Sequence, residues 1–307
     1  MIWRLHHATL RVRDAEEARE RWSILHGLSG SGDEGMALLR CAYEDFCLEL
    51  RRSEKPPGIE HVAYELRSGV SLEEAARRLA ELGEDVERVE VPIRGAGLRL
   101  ADPDGNRVVL VERVLAEDRK PGVARFSDEL PGYHPRRLQH VNYLTADAPR
   151  IADWYERVLG LRVSDWIGEG AVWMHADRDH HVIAFLDKGY SHLHHIAFEL
   201  TDWGEMRVAL DHLAQHARPL AWGPGRHTMA QNLFAYCRMV EEELFVELFC
   251  DMEQLEPDHE PRFFDDDPHS SNAWGILPPR SYFRFDADAI ASELEQLEAL
   301  QGLDPES

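Results

Sequence analysis

Four histidines recur in this 307-residue sequence at a spacing that chance does not supply. His7, His61, His140 and His195 each stand in an apolar, strand-like run: LHHATLRV, IEHVAYEL, LQHVNYLT and LHHIAFEL. The two pairs are separated by 54 and 55 residues, and the halves are offset by 133 and 134. A near-constant period marks duplication, here a duplicated pair of duplicated modules. In the second half a carboxylate joins the two histidines. Glu247 lies inside LFVELF (244–249), where strand alternation puts it on one face with Phe245 and Phe249. A carboxylate buried there is costly unless a cation meets it. Two imidazoles and one carboxylate on a common face leave open positions on a bound metal, the donor set of non-haem Fe(II) oxygenase centres. His140, His195 and Glu247 are the candidate metal ligands.

The first half serves as an internal control. Aligning DPDGNRVVLV with MVEEELFVELF places Val109 opposite Glu247, so the first half keeps His7 and His61 without that carboxylate. It is predicted to be metal-free, its imidazoles hydrogen-bonded in the core. The turn MVEEE (239–243) has one residue more than the spacing from Tyr236 to Glu247 calls for. Glu241, Glu242 and Glu243 read as a solvated charge run.

Each histidine-bearing strand must be positioned by the helix and strands after it. The runs 14–28 and 147–161 have helical periodicity and close near a glycine suited to a C-terminal cap. Ser71 and Glu74 form a capping-box pattern opening SLEEAARRLAELG, and a fourth helix is expected near 203–216. Short β-branched runs with Gly, Asp or Asn turns fill the intervals. The coarse pattern is β-α-β-β-β four times, an α+β architecture of two domains, each two βαβββ modules curled round a central cavity. The expected boundaries are 1–115, a Pro- and Gly-bearing linker at 116–133, the metal-binding domain at 134–256, and an extension at 257–307 ending in a helix near 286–301. Within that extension Trp274, Pro278 and Tyr282 are read as apolar cover over the pocket mouth, and Arg280 as a substrate contact.

Bulk properties exclude several classes. A net charge of −23 repels nucleic acid. No apolar run approaches the roughly 20 residues of a membrane helix, and the opening MIWRLHHATL reads as a strand rather than a secretory leader. Four cysteines without CxxC spacing (41, 47, 237, 250) read as buried free thiols in a reducing cytoplasm.

The runs RDHHVIAF, HLHHIAFEL, GPGRHTMAQNLFAY and VELFCDMEQ resemble the type I extradiol catechol dioxygenases of the vicinal oxygen chelate superfamily. The resemblance spans roughly 1–256 and is most specific in 138–254. It implies metal ligands at His140, His195 and Glu247, with His194 turned to the other face of its strand. It implies an acid/base histidine of near-neutral pKa at His181, and substrate contacts at His227 and Tyr236. Asn232 is implied as a positioning residue. The implied reaction is meta cleavage of a small aromatic diol by O2 at Fe(II), with Mn(II) as the other metal these ligands accept, in a self-associating enzyme. The rival readings are a glyoxalase-like isomerase or lyase on the same ligands and a metal-free binding protein. The first has no need of His181 and Tyr236 together, and the second lacks a complete triad.

Overall fold

Every histidine repeat is the first strand of a βαβββ module in the computed structural model, which describes residues 1–114 and 132–302. The first module runs β1 (Ile2–Val12), α1 (Ala15–His26), β2 (Ser29–Gly32), β3 (Met36–Arg40) and β4 (Leu48–Arg52). The second runs β5 (Gly58–Leu66), α2 (Leu72–Glu81), β6 (Glu87–Val91), β7 (Gly95–Ala101) and β8 (Arg107–Val111). The third comprises β9 (Arg137–Thr145), α3 (Ala148–Trp154), β10 (Arg162–Ile167), β11 (Ala171–His175) and β12 (Ile183–Asp187). The fourth comprises β13 (His192–Glu199), α4 (Trp203–Gln215), β14 (Leu220–Arg226), β15 (Leu233–Met239) and β16 (Leu244–Cys250). Residues 116–131 of the expected linker lie outside the described residues. Tyr133, at its end, is buried and hydrogen-bonded to His26 at 2.9 Å.

The helices start for the same physical reason in all four modules. Asp14, Ser71, Asp147 and Asp202 each accept the backbone N–H three residues on, satisfying a donor that the first turn leaves unpaired. The capping box at Ser71 is half formed, because the Glu74 carboxylate turns to Arg78 instead of reaching back. Helix α1 stops at Gly27, whose φ of 60° would strain any other residue and where a Cβ would meet the Tyr133 carbonyl oxygen.

The strands form two curled sheets, one per domain, in the orders β2-β3-β4-β1-β5-β8-β7-β6 and β14-β15-β16-β13-β9-β12-β11-β10, the second extended by β17 (Arg262–Phe264) against β10. The middle of each sheet is equivalent. His7 pairs with Ala63 and Ala63 with Val109; His140 pairs with Ala197 and Ala197 with Glu247. The sequence alignment of Val109 with Glu247 therefore holds in three dimensions. The extra residue of the MVEEE turn is absorbed by a 3-10 turn over Val240–Glu242 and a left-handed Glu243, φ 55°, which leaves Tyr236 opposite Glu247. The solvated reading of that turn does not hold. Glu242 is fully buried and pairs with Arg21 of the first domain, and Glu241 pairs with Arg218 at 2.8 Å. A buried carboxylate needs such a partner.

Beyond β17 the extension carries α5 (Pro268–Ser271) and α6 (Ala287–Gln301). All four cysteines are buried free thiols. Among the described residues no helix is long and apolar enough to cross a membrane.

Candidate functional site

Central strands β9, β13 and β16 bring His140, His195 and Glu247 together, with ligand atoms all within 4.8 Å of one another. Glu247 Oε2 lies 3.0 Å from His140 Nε2 and 3.2 Å from His195 Nε2. The hydrogen bonds behind the rings decide what those nitrogens carry. Gln139 donates its amide to the His181 carbonyl and to Asp179, so its Oε1 faces His140 Nδ1 at 2.7 Å and accepts that proton. His194 donates Nε2–H to the Tyr282 carbonyl at 2.9 Å, which leaves its Nδ1 to accept the Nδ1 proton of His195 at 2.8 Å. Burial holds His194 well below the ordinary histidine pKa, hence neutral, and brings His195 down to about 4. With the proton on Nδ1, each ring in its neutral form turns a bare Nε2 toward a carboxylate oxygen. Three electron pairs thus converge with a cation required between them, and the residues fit a divalent metal.

His194 does not point away as expected. A bulge between Leu193 and His195 breaks the alternation, so His194 lines the same cavity and packs on Phe245 and Tyr282.

The cavity, about 480 Å³, has the three candidate ligands at its buried end. His181, His227 and Tyr236 line it as well. The His181 ring centre is 4.2 Å from that of His140, and His227 Nε2 is 3.1 Å from the Tyr236 hydroxyl. His181 departs from the near-neutral expectation: burial, with His140 and His180 beside it, lowers its pKa well below the ordinary value. Burial and the Glu247 charge raise that of Tyr236. Asn232 donates to Glu247 Oε1 at 3.1 Å, turning Oε2 toward the histidines.

Of the four extension residues singled out from the sequence, Pro278 and Tyr282 line the cavity; Trp274 instead stands exposed with its ring against Trp203. Arg280 is exposed and is not among the lining residues. A short 3-10 turn, Arg280–Phe283, buries Tyr282 and leaves Arg280 outside.

Residues 137–244 match the family model described as the Glyoxalase/Bleomycin resistance protein/Dioxygenase superfamily. The chain is 30% identical over 164 residues to metapyrocatechase 2 of Cupriavidus necator, covering 48% of this chain and 51% of that protein. It is 28% identical over 221 residues to a manganese-dependent 2,3-dihydroxybiphenyl 1,2-dioxygenase of Geobacillus genomosp. 3, covering 66% and 70%. The match thus spans about half the length of the first relative. Homoprotocatechuate 2,3-dioxygenase from Arthrobacter globiformis shares the fold with a TM-score of 0.79 at 24% identity, over 92% of this chain and 90% of that one. The Mn(II)-bound glyoxalase from Novosphingobium aromaticivorans does so with a TM-score of 0.80 at 22% identity, over 92% and 94%.

Some residues of the site escape a reading by repeats. Asp165 accepts from His180 Nε2 at 2.7 Å, and His180 Nδ1 lies 3.1 Å from His181 Nδ1. Arg262, from β17, grips Asp165 at 2.8 and 2.9 Å and Glu253 at 2.9 and 2.6 Å. Asn142 is buried on the cavity wall with its Oδ1 unpartnered among the described residues. The first domain departs from the expected pair of histidines without a carboxylate. Glu49, from β4, comes within 4.8 Å of the ring nitrogens of His7 and His61, so a carboxylate is present there, supplied by another strand.

Proposed function

We propose that this chain is an extradiol ring-cleaving dioxygenase that inserts both atoms of O2 into a catechol-type diol at an Fe(II) or Mn(II) centre held by His140, His195 and Glu247. The observation that carries the reading is the meeting of three bare donor atoms with His181, His227 and Tyr236 in one cavity. The names of two of its sequence relatives, a metapyrocatechase and a dihydroxybiphenyl dioxygenase, support it. One of those names specifies manganese, and the donor set accepts either metal.

When bound, the metal would hold diol and O2 side by side and pass electrons from ring to oxygen. The protein's own groups do the rest. Tyr236 and His227, hydrogen-bonded to each other, orient the diol; Tyr236, kept a protonated phenol, holds a diol oxygen, and His227 receives a hydroxyl proton. His181, neutral in this environment, takes a proton before it can return one to the developing oxygen anion. The ring supplies all four electrons that reduce O2, the carbon–carbon bond beside the diol breaks, and no external reductant is needed. A glyoxalase-type isomerisation would leave His181 and Tyr236 without a joint task.

The test is anaerobic loading with Fe(II) or Mn(II), followed by oxygen uptake with catechol. Stoichiometric uptake with a yellow ring-opened product is expected. Retention of metal with no oxygen consumption would reject the reading.

A further inference from the structure

The cavity changes character from its buried to its exposed end. Around the ligand cluster the lining is imidazole, phenol and carboxylate. Farther out it is apolar: Ile167, Trp173, Leu186, Met229, Leu277 and Phe283. The charged lining residues outside the ligand cluster are exposed, which places them at the opening, and four of these are acids: Glu169, Asp187, Asp266 and Asp267. Lys188 is the one Lys or Arg among the described lining residues, and its Nζ sits 4.6 Å over the ring of Phe283. The acids come from two parts of the chain. Glu169 and Asp187 belong to the third module, while Asp266 and Asp267 come after β17, whose Phe264 carbonyl accepts from Gly168 N–H at 2.9 Å.

This lining has three consequences for a diol seated on the ligand cluster. A cavity of about 480 Å³ holds more than one six-membered ring. A substituent projecting along the apolar wall gains from leaving water. A carboxylate on that substituent would lose its hydration, find no arginine, and face four negative charges against one lysine. We propose that the substrate is a catechol bearing an uncharged apolar substituent, an aryl ring or an alkyl chain, and that ring-carboxylated or carboxymethyl catechols are rejected. This rests on the catechol-cleaving reading of the site.

The experiment compares four probes on the metal-loaded enzyme: catechol, a phenyl-substituted catechol, an alkyl-substituted catechol and a carboxymethyl catechol. Oxygen uptake gives kcat/KM, and anaerobic titration calorimetry gives affinity without turnover. The phenyl and alkyl probes should exceed the carboxymethyl probe by about tenfold or more in both measurements, tenfold corresponding to about 1.4 kcal/mol. Glu169→Gln combined with Asp266→Asn should narrow that ratio several-fold by relieving the anionic probe. Equal or better binding of the carboxymethyl probe would overturn the proposal and mark Lys188 as an anion anchor. Its loss on Lys188→Met would then complete that alternative. Failure of all four probes to consume oxygen rejects the underlying reaction instead. The calorimetric ranking still judges the specificity in that case, since absence of any apolar preference in binding overturns it.

Discussion

Gln139 accepts the Nδ1 proton of His140, and His194 accepts that of His195, so in both cases the preceding residue decides which nitrogen faces the cavity. Partners of this kind are typically worth about 10–100-fold in metal affinity. Gln139→Leu is therefore expected to weaken Mn(II) binding by about tenfold or more, read by titration against a competing chelator. Unchanged affinity would contradict the proton assignment. In the first domain the same pairing of neighbours runs the other way. Arg94 can only donate, and it donates to His6 Nε2 at 3.0 and 2.8 Å. His6 then gives its Nδ1 proton to His7 Nδ1 at 2.6 Å, and His7, neutral because it is buried, keeps its own proton on Nε2, facing His61. Glu49 is bonded to Thr9 at 2.7 Å and to Arg51. The cluster His7–Glu49–His61 has every group partnered by protein and its metal-facing nitrogen protonated. Elemental analysis after Mn(II) loading should find one ion per chain, lost in Glu247→Gln; two per chain would show that Glu49 restores a second site.

At the level of elements, periodic features are legible in the sequence and contacts between distant elements are not. The four modules, the equivalence of Val109 with Glu247 and the choice of His195 all follow from repeat register, which strand pairing preserves. The approach of Glu49 to His61 from β4, or of Arg262 to Asp165 across 97 residues, has no period to betray it. The bulge at Leu193–His195 is a one-residue irregularity, and it is enough to turn His194 into the cavity against the alternation. Burial, which shifts the His181 pKa, likewise depends on the finished packing. Strand β17 is one such distant element, and its contact reaches the site. It holds Arg262 against Asp165, and Asp165 fixes His180 behind His181. Asp165→Asn keeps an acceptor for His180 Nε2–H and removes the charge. It should lower kcat about tenfold or more with metal content and KM little changed. A matching fall in metal content would assign Asp165 to the stability of the sheet instead.

The two domains are joined through charged groups that are themselves buried, and one of them makes the assembly sensitive to pH. Glu44, after β3, accepts the backbone N–H of Leu138 at 3.0 Å, two residues before His140 on β9. Burial raises its pKa from 4.5 to about 7, against the opposing pull of Arg4, the Leu138 N–H and Arg137. The sign depends on which form the fold prefers. Below pH 4.5 the carboxyl is protonated in both folded and unfolded chains and costs nothing. As pH rises from 4.5 toward 7 the unfolded chain ionises first, so folding loses stability, and the loss is complete above the folded pKa. The whole interval amounts to about 3 kcal/mol, at about 1.4 kcal/mol per pH unit. Glu44→Gln keeps the acceptor for Leu138 N–H and cannot ionise. The variant should match the parent in chemical denaturation near pH 4 and exceed it by about 2–3 kcal/mol at pH 8. A difference independent of pH would mean that Glu44 stays ionised in the fold, held by Arg4 and Arg137, and that the interface beside His140 is an ion-paired one.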